Sequence, residues 1–142
     1  YCPTRKITRG EMAAFLRRDL ELPDVAEDFF TDDSESVFHA DINALAGAGV
    51  AFGCTETEYC PNEPLLREEL AELFVLAYGF ENPDDTDFFV DDDGNRFEAA
   101  INAMASNEIT LGCNPPENDQ YCPQRELNRG EMASFFVRAL GL

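Results

Sequence analysis

Three arginines recur at one position of a repeated motif, and arginine is the side chain best suited to grip a carboxylate or phosphate. They are Arg9, Arg67 and Arg129, set in Thr8-Arg9-Gly10-Glu11, Leu66-Arg67-Glu68-Glu69 and Asn128-Arg129-Gly130-Glu131. An apolar residue precedes each tetrad: Ile7, Leu65 and Leu127. After it come apolar residues at helical spacing: Met12, Phe15, Leu16 and Leu20; Leu70, Leu73, Phe74 and Tyr78; Met132, Phe135, Phe136 and Leu140. That spacing places one apolar stripe on a helix, so each tetrad opens a helix. Thr8 with Glu11, and Asn128 with Glu131, have the form of a capping box, and Ile7, Leu65 and Leu127 are placed for hydrophobic staples. Glu69 occupies the same place as Glu11 and Glu131, but Leu66 cannot cap, so the middle helix has the weaker start. Each arginine then falls on the first helical residue, where the helix dipole is already positive. A cation there is locally unfavourable. Beside free backbone N–H groups, however, its guanidinium makes a receptor for an anion, flanked by Thr8 and Asn128 in two copies. Neutralisation by neighbouring acids is the structural alternative.

The cysteines follow the same repeat. Tyr1-Cys2-Pro3, Tyr59-Cys60-Pro61 and Tyr121-Cys122-Pro123 each stand just before a tetrad. Gly53-Cys54 and Gly112-Cys113 align 59 residues apart. Cys54 with Cys60, and Cys113 with Cys122, each lie in the same connection of their repeat and are the natural disulfides. Zinc is the weaker reading, because the spacing is not that of a zinc site and the chain has one His. Structural disulfides imply an oxidising, extracellular setting. Cys2 is left over, and by repeat logic its partner lies upstream of Tyr1.

The elements that carry these residues come in two kinds. The tetrads open second helices. First helices follow acidic loops: Phe29-Phe30-Thr31-Asp32-Asp33 matches Phe88-Phe89-Val90-Asp91-Asp92, and Phe38, Ile42, Leu45 and Ala46 match Phe97, Ile101, Met104 and Ala105. The pattern predicts five helices over 8–20, 35–47, 66–78, 95–106 and 128–140, with no strand beyond short extended pieces at 50–52 and 109–111. The repeats run 1–22 (a second half alone), 23–80 and 81–142. Two short helices bury too little to stand alone, so the repeats must pack together.

Net charge is −19, with 29 Asp and Glu against 10 Lys and Arg. It is segregated: nine of the ten cations lie in 1–22, 61–80 and 123–142, which together are neutral. The balance excludes a nucleic-acid partner, which needs a cationic surface. No apolar run is long enough to span a bilayer. His39 belongs to no triad, and nothing marks a pair of carboxylates for acid–base work, so no enzyme is expected. Asp91, Asp93 and Asn95 alternate as in calcium loops, but Gly94 is off position and Asn102 stands where the closing Glu belongs. A solvated acidic loop is the preferred reading, and no metal or other cofactor is expected. Tyr1, Tyr59 and Tyr121 are read as packing over the disulfides rather than stacking on a sugar, and the Phe29-Phe30 and Phe88-Phe89 pairs as core anchors.

The stretch Ile7-Thr8-Arg9-Gly10-Glu11-Met12-Ala13-Ala14-Phe15-Leu16, with Phe38, Asp41-Ile42, Leu45-Ala46, Gly49-Val50 and Gly53, resembles the S-layer homology (SLH) domain in a disulfide-bearing, actinobacterial-type variety. Phe97, Ile101, Met104-Ala105, Ile109 and Gly112 repeat the second set. The resemblance implies a mainly α fold of tandem helix–loop–helix repeats packed as a pseudo-threefold helical prism. It implies a non-enzymatic module at the cell surface that anchors a passenger protein by binding anionic, commonly pyruvylated, cell-wall polysaccharide. Arg9, Arg67 and Arg129 would meet the anion. The middle copy departs from the signature at Leu66 and Glu68. The alternative is self-assembly into a surface lattice or fibre, bridged by calcium across the acidic surface.

Overall fold

The computed structural model describes residues 1–142. It contains five helices: α1 (Arg9–Asp19), α2 (His39–Gly47), α3 (Arg67–Tyr78), α4 (Glu98–Ser106) and α5 (Arg129–Leu140). There is no strand; the only sheet-like pairings are isolated bridges, Lys6 with Asn128, Thr8 with Pro64 and Leu66 with Glu126. The protein is therefore mainly α, as the apolar spacing predicts. The pieces at 50–52 and 109–111 pair with nothing as strands.

The second helices begin within a residue of expectation, whereas α2 and α4 begin later. Ahead of α2 the chain makes three-residue turns, Ser36 N–H donating to the Asp33 carbonyl at 2.9 Å and His39 N–H to the Ser36 carbonyl at 3.2 Å. Ahead of α4, Gly94 takes φ +74°, a left-handed conformation that stops a helix from starting before it. Neither helix has a side-chain N-cap, so packing must hold these starts in place.

Two compact units divide the chain. One, residues 7–65, packs α1 on α2. Ile7, Met12, Leu16, Ile42, Leu45 and Leu65 are fully buried there. The other, residues 1–6 with 66–142, packs α3 on α4. In it Leu70, Phe74, Ile101, Met104 and Leu127 are fully buried, and the Phe74 and Phe136 rings meet at 4.9 Å. The units are thus phased differently from the sequence repeats: the second helix of one repeat packs on the first helix of the next.

Backbone pairing makes that phasing necessary. Arg9 N–H donates to the Glu63 carbonyl and Gly10 N–H to the Pro61 carbonyl, both at 2.9 Å. In the other unit Arg67 N–H donates to Arg125 O at 2.9 Å and Glu68 N–H to Pro123 O at 3.0 Å. The start of α5 repeats the pattern, Arg129 N–H donating to Arg5 O at 3.0 Å and Gly130 N–H to Pro3 O at 2.9 Å. Every tetrad therefore lies against the residues that follow a Tyr-Cys-Pro turn.

The approach is close. A Cβ at Gly10 would stand 2.5 Å from Phe38 Cδ2 and 3.0 Å from the Pro61 carbonyl oxygen. Gly10→Ala is expected to destabilise the protein by about 1–3 kcal/mol, overriding the helix propensity that alanine adds. Urea unfolding measures it, and a neutral or stabilising result would contradict this packing. Glu68 occupies the matching position of the middle copy. It is 8% exposed and accepts from Asn95 Nδ2 at 2.7 Å and Gln124 Nε2 at 3.0 Å. The departure from the signature at this residue is thus a polar tie between the starts of α3 and α4.

Candidate functional site

The three helix starts build the site. At α1 the Glu11 N–H donates to Thr8 Oγ1 at 3.2 Å, and Glu11 Oε2 accepts from the Thr8 N–H at 2.9 Å. Asn128 and Glu131 do the same at 2.8 and 3.1 Å. At α3 only half of the box forms: Leu66 N–H donates to Glu69 Oε2 at 2.9 Å, and the leucine side chain has no acceptor to return. The capping roles of Glu11, Glu69 and Glu131 follow from these bonds.

The helix starts do not carry free N–H groups, which corrects one premise of the sequence reading. The first two N–H groups of each tetrad helix are taken by carbonyls across the unit. The third goes to Thr8 or Asn128 where the cap exists. Thr8 and Asn128 are thereby engaged as caps. Any anion must be held by guanidinium groups, not by a bare helix terminus.

The guanidinium groups have unequal surroundings. Arg9 is 2% exposed; its Nε donates to the Tyr59 carbonyl at 2.8 Å and its Nη2 to the Phe52 carbonyl at 2.7 Å. The Tyr59 ring lies 4.7 Å from its Cζ, and the Tyr59 hydroxyl donates back to the Arg9 carbonyl at 3.1 Å. This reciprocal lock recurs at Arg67, which is 3% exposed. Its Nε donates to Tyr121 O at 2.8 Å, and the Tyr121 hydroxyl donates to Arg67 O at 2.8 Å. Here, however, the buried Nη2 has no partner. Burial pushes the Arg67 guanidinium below its ordinary value, though an arginine remains charged. Burial likewise pushes the Tyr121 hydroxyl up, so it acts only as a neutral donor. Arg129 is half-buried, faces the Tyr1 ring at 5.3 Å, and its buried Nε has no partner. Two of the three arginines thus retain an unpaired donor, in a chain with 29 carboxylates.

The tyrosines settle by burial. Tyr59 and Tyr121 are 1% and 0% exposed and closed to a sugar, whereas Tyr1 is 79% exposed. Of the phenylalanine pairs only the second member anchors: Phe30 meets Tyr59 at 5.2 Å and Phe89 meets Tyr121 at 5.5 Å. Phe29 and Phe88 are exposed, a correction to the reading of both pairs as core. Successive side chains of an extended segment face opposite ways, so one of each pair must turn outward.

The cysteines pair as the repeat logic requires, Cys54 with Cys60 and Cys113 with Cys122; Cys2 is an exposed free thiol. Sequence reasoning missed the aspartates that seat these turns. Asp32 accepts from the Tyr59 and Cys60 N–H groups, both at 2.8 Å. Asp91 accepts from those of Tyr121 and Cys122 at 2.7 and 2.8 Å. Cys60 and Cys122 both take φ +58°, which turns two successive N–H groups toward one carboxylate. The signal was legible as Asp32 and Asp91 recurring at one repeat position. The alternating trio of Asp91, Asp93 and Asn95 does not act as one: Asp91 holds this turn, and Asn95 bonds Glu68 and the Phe97 N–H.

Grooves lie beside these elements. One of about 770 Å³ between α3 and α4 is lined by Glu72, Phe80, Asn82, Asp87, Arg96 and Ala103. A smaller one of about 420 Å³ beside α1 is lined in part by Arg17, which bonds Asp24 at 2.5 Å and Asp41 at 3.3 Å.

Fold and site together define a mainly helical, disulfide-bearing repeat protein, and no helix is long and apolar enough to cross a membrane. The disulfides fit an oxidising, extracellular setting. No protein-family model matches the chain. A stretch of 80 residues, 56% of the chain, is 32% identical to an endoglucanase of Bacillus sp. (strain KSM-635), and the match spans 8% of that enzyme's length.

Proposed function

We propose that the chain is a non-enzymatic anchoring module of SLH type that holds a protein to the cell envelope by binding an anionic, pyruvylated cell-wall polysaccharide. The observation that carries this reading is Arg129, whose side chain is only half-buried and whose Nε has no partner; Arg67, 3% exposed, is closed in against Tyr121. In a chain of net charge −19 nearly every cation has acids to choose from, and an unsatisfied buried N–H costs about 1–3 kcal/mol. A ligand carboxylate relieves that cost and forms a charge-assisted bond. Arg9, with both named donors engaged, serves to build the fold. The recurring pairing of helix starts with Tyr-Cys-Pro turns supports the further reading that the repeats pack as a pseudo-threefold prism. The short match to a much longer endoglucanase fits a module shared between proteins, and we carry none of that enzyme's activity over to this chain.

The test is retention on purified cell walls of the source organism, before and after extraction of the secondary polysaccharide. Binding should require the polysaccharide, and Arg129→Ala should weaken it about tenfold or more, the worth of one charge-assisted contact, with helicity unchanged. Equal binding to intact and extracted walls, or binding to neither, would overturn the proposal.

A further inference from the structure

The three Tyr-Cys-Pro turns hold their tyrosines alike but cover them differently. In each, the hydroxyl donates to the carbonyl of a tetrad arginine: Tyr59 to Arg9 at 3.1 Å, Tyr121 to Arg67 at 2.8 Å and Tyr1 to Arg129 at 2.9 Å. The guanidinium carbon faces the ring at 4.7, 4.6 and 5.3 Å respectively. Phe30 and Phe89 pack on Tyr59 and Tyr121, which are 1% and 0% exposed. Tyr1 is 79% exposed, so its ring stands in solvent beside a half-buried arginine whose Nε has no partner.

That ring is held in place. Besides its hydroxyl bond, the turn is pinned by the Arg5 N–H, which donates to Cys2 O at 3.2 Å, and by the Gly130 N–H, which donates to Pro3 O at 2.9 Å. A tyrosine fixed in this way offers a broad apolar face at small entropic cost. Its neighbour offers a charge-assisted donor. A phosphate or a free carboxylate uses the arginine alone. An acetal-bearing pyranose uses both, because its C–H face is apolar and the fused acetal carries the carboxylate one ring away.

We propose that Tyr1 is the sugar platform of the Arg129 site, stacking the pyranose whose acetal carboxylate the guanidinium receives. The inference rests on the anchoring reading and adds a specificity to it. The site selects a carboxylate borne on a pyranose over the phosphates of a glycerol-phosphate polymer, whose flexible backbone has no ring face to lay on Tyr1. Tyr59 and Tyr121 take no such part, because their rings are covered. One site of this kind per chain follows.

Retention of the full chain on purified, polysaccharide-bearing cell walls of the source organism tests this in four forms: parent, Tyr1→Ala, Tyr1→Phe and Phe29→Ala. Tyr1→Ala should weaken binding about five- to tenfold, the size of one aromatic contact. Its melting temperature should stay within about 3 °C of the parent, since the ring it removes is exposed. Tyr1→Phe should keep most of the affinity, and Phe29→Ala, an exposed ring elsewhere, all of it. The chain has no Trp and four Tyr, of which Tyr59 and Tyr121 are buried. Solubilised wall polysaccharide should therefore shield tyrosine fluorescence from acrylamide in the parent, and the shielding should vanish in Tyr1→Phe. Poly(glycerol phosphate), matched in charge, should compete about tenfold less well than the polysaccharide. If Tyr1→Ala binds as tightly as the parent while Arg129→Ala does not, the platform is overturned and the anchoring reading stands. Equal competition by the two polymers overturns the platform as well. A parent chain that is not retained at all overturns the anchoring reading itself, and this inference with it.

Discussion

Arg9→Ala is expected to destabilise the 7–65 unit by about 3–5 kcal/mol, the cost of breaking a buried charged network. The change removes the donors that satisfy the Tyr59 and Phe52 carbonyls and the cation that faces the Tyr59 and Phe52 rings. Hydrogen bonds to a charged group contribute roughly 1.5–3 kcal/mol each. The cavity left beside the ring adds to the loss. Lysine should not rescue it, because one ammonium cannot reach both carbonyls as the planar fork does. Denaturant unfolding of Arg9→Ala and Arg9→Lys measures both effects, and a loss below about 1 kcal/mol, the worth of one ordinary bond, would refute the structural role. Arg129→Ala should behave oppositely, with little loss of stability and a large loss of wall binding. That contrast separates the building arginine from the binding one.

Reduction of both disulfides should have a comparable effect. Cys54 and Cys60 are 6 residues apart and Cys113 and Cys122 are 9 apart. Closing loops of that size in the unfolded chain contributes about 2–3 kcal/mol each. Together that rivals the whole stability of a small domain. For a chain of this length it corresponds to a fall of roughly 10–20 °C in melting temperature. Asp32 and Asp91 still hold the turns by backbone N–H bonds after reduction, so the loss should lie mainly in loop closure. Melting with and without a phosphine reductant is the measurement; a shift under about 3 °C, the effect of some 1 kcal/mol, would show that the aspartates alone suffice. Replacing each Cys pair separately assigns the loss to its unit.

Much of this was legible in the sequence because the repeat restates each feature. The five helices, the caps at Thr8 and Asn128, the missing cap at Leu66 and both disulfides come directly from spacing and alignment. The late starts of α2 and α4 were not legible, because the apolar stripe continues through residues that the chain uses in turns. The occupied N–H groups of the helix starts were hidden for a different reason: their acceptors lie more than 50 residues away in every case, and no local pattern announces them. Burial of Arg9 and Arg67 was equally obscure, since their partners are mostly backbone carbonyls, which every residue has. Asp92 stood within a run of three aspartates that composition cannot tell apart. Only depth separates them, with Asp91 seating a turn, Asp92 buried and Asp93 at the surface.

The Arg–Tyr lock sets a timetable for the nascent chain. Arg9 and Tyr59 are 50 residues apart, and Arg67 and Tyr121 are 54 apart. At a synthesis rate of about 5–20 residues per second, the start of α1 waits roughly 3–10 s for the turn that completes it. During that interval its arginine is hydrated and its apolar stripe uncovered. α5 differs, because the carbonyls of Pro3 and Arg5 that receive its first N–H groups are made before it. The start of α5 can therefore close as it emerges, while that of α1 must wait for the ribosome.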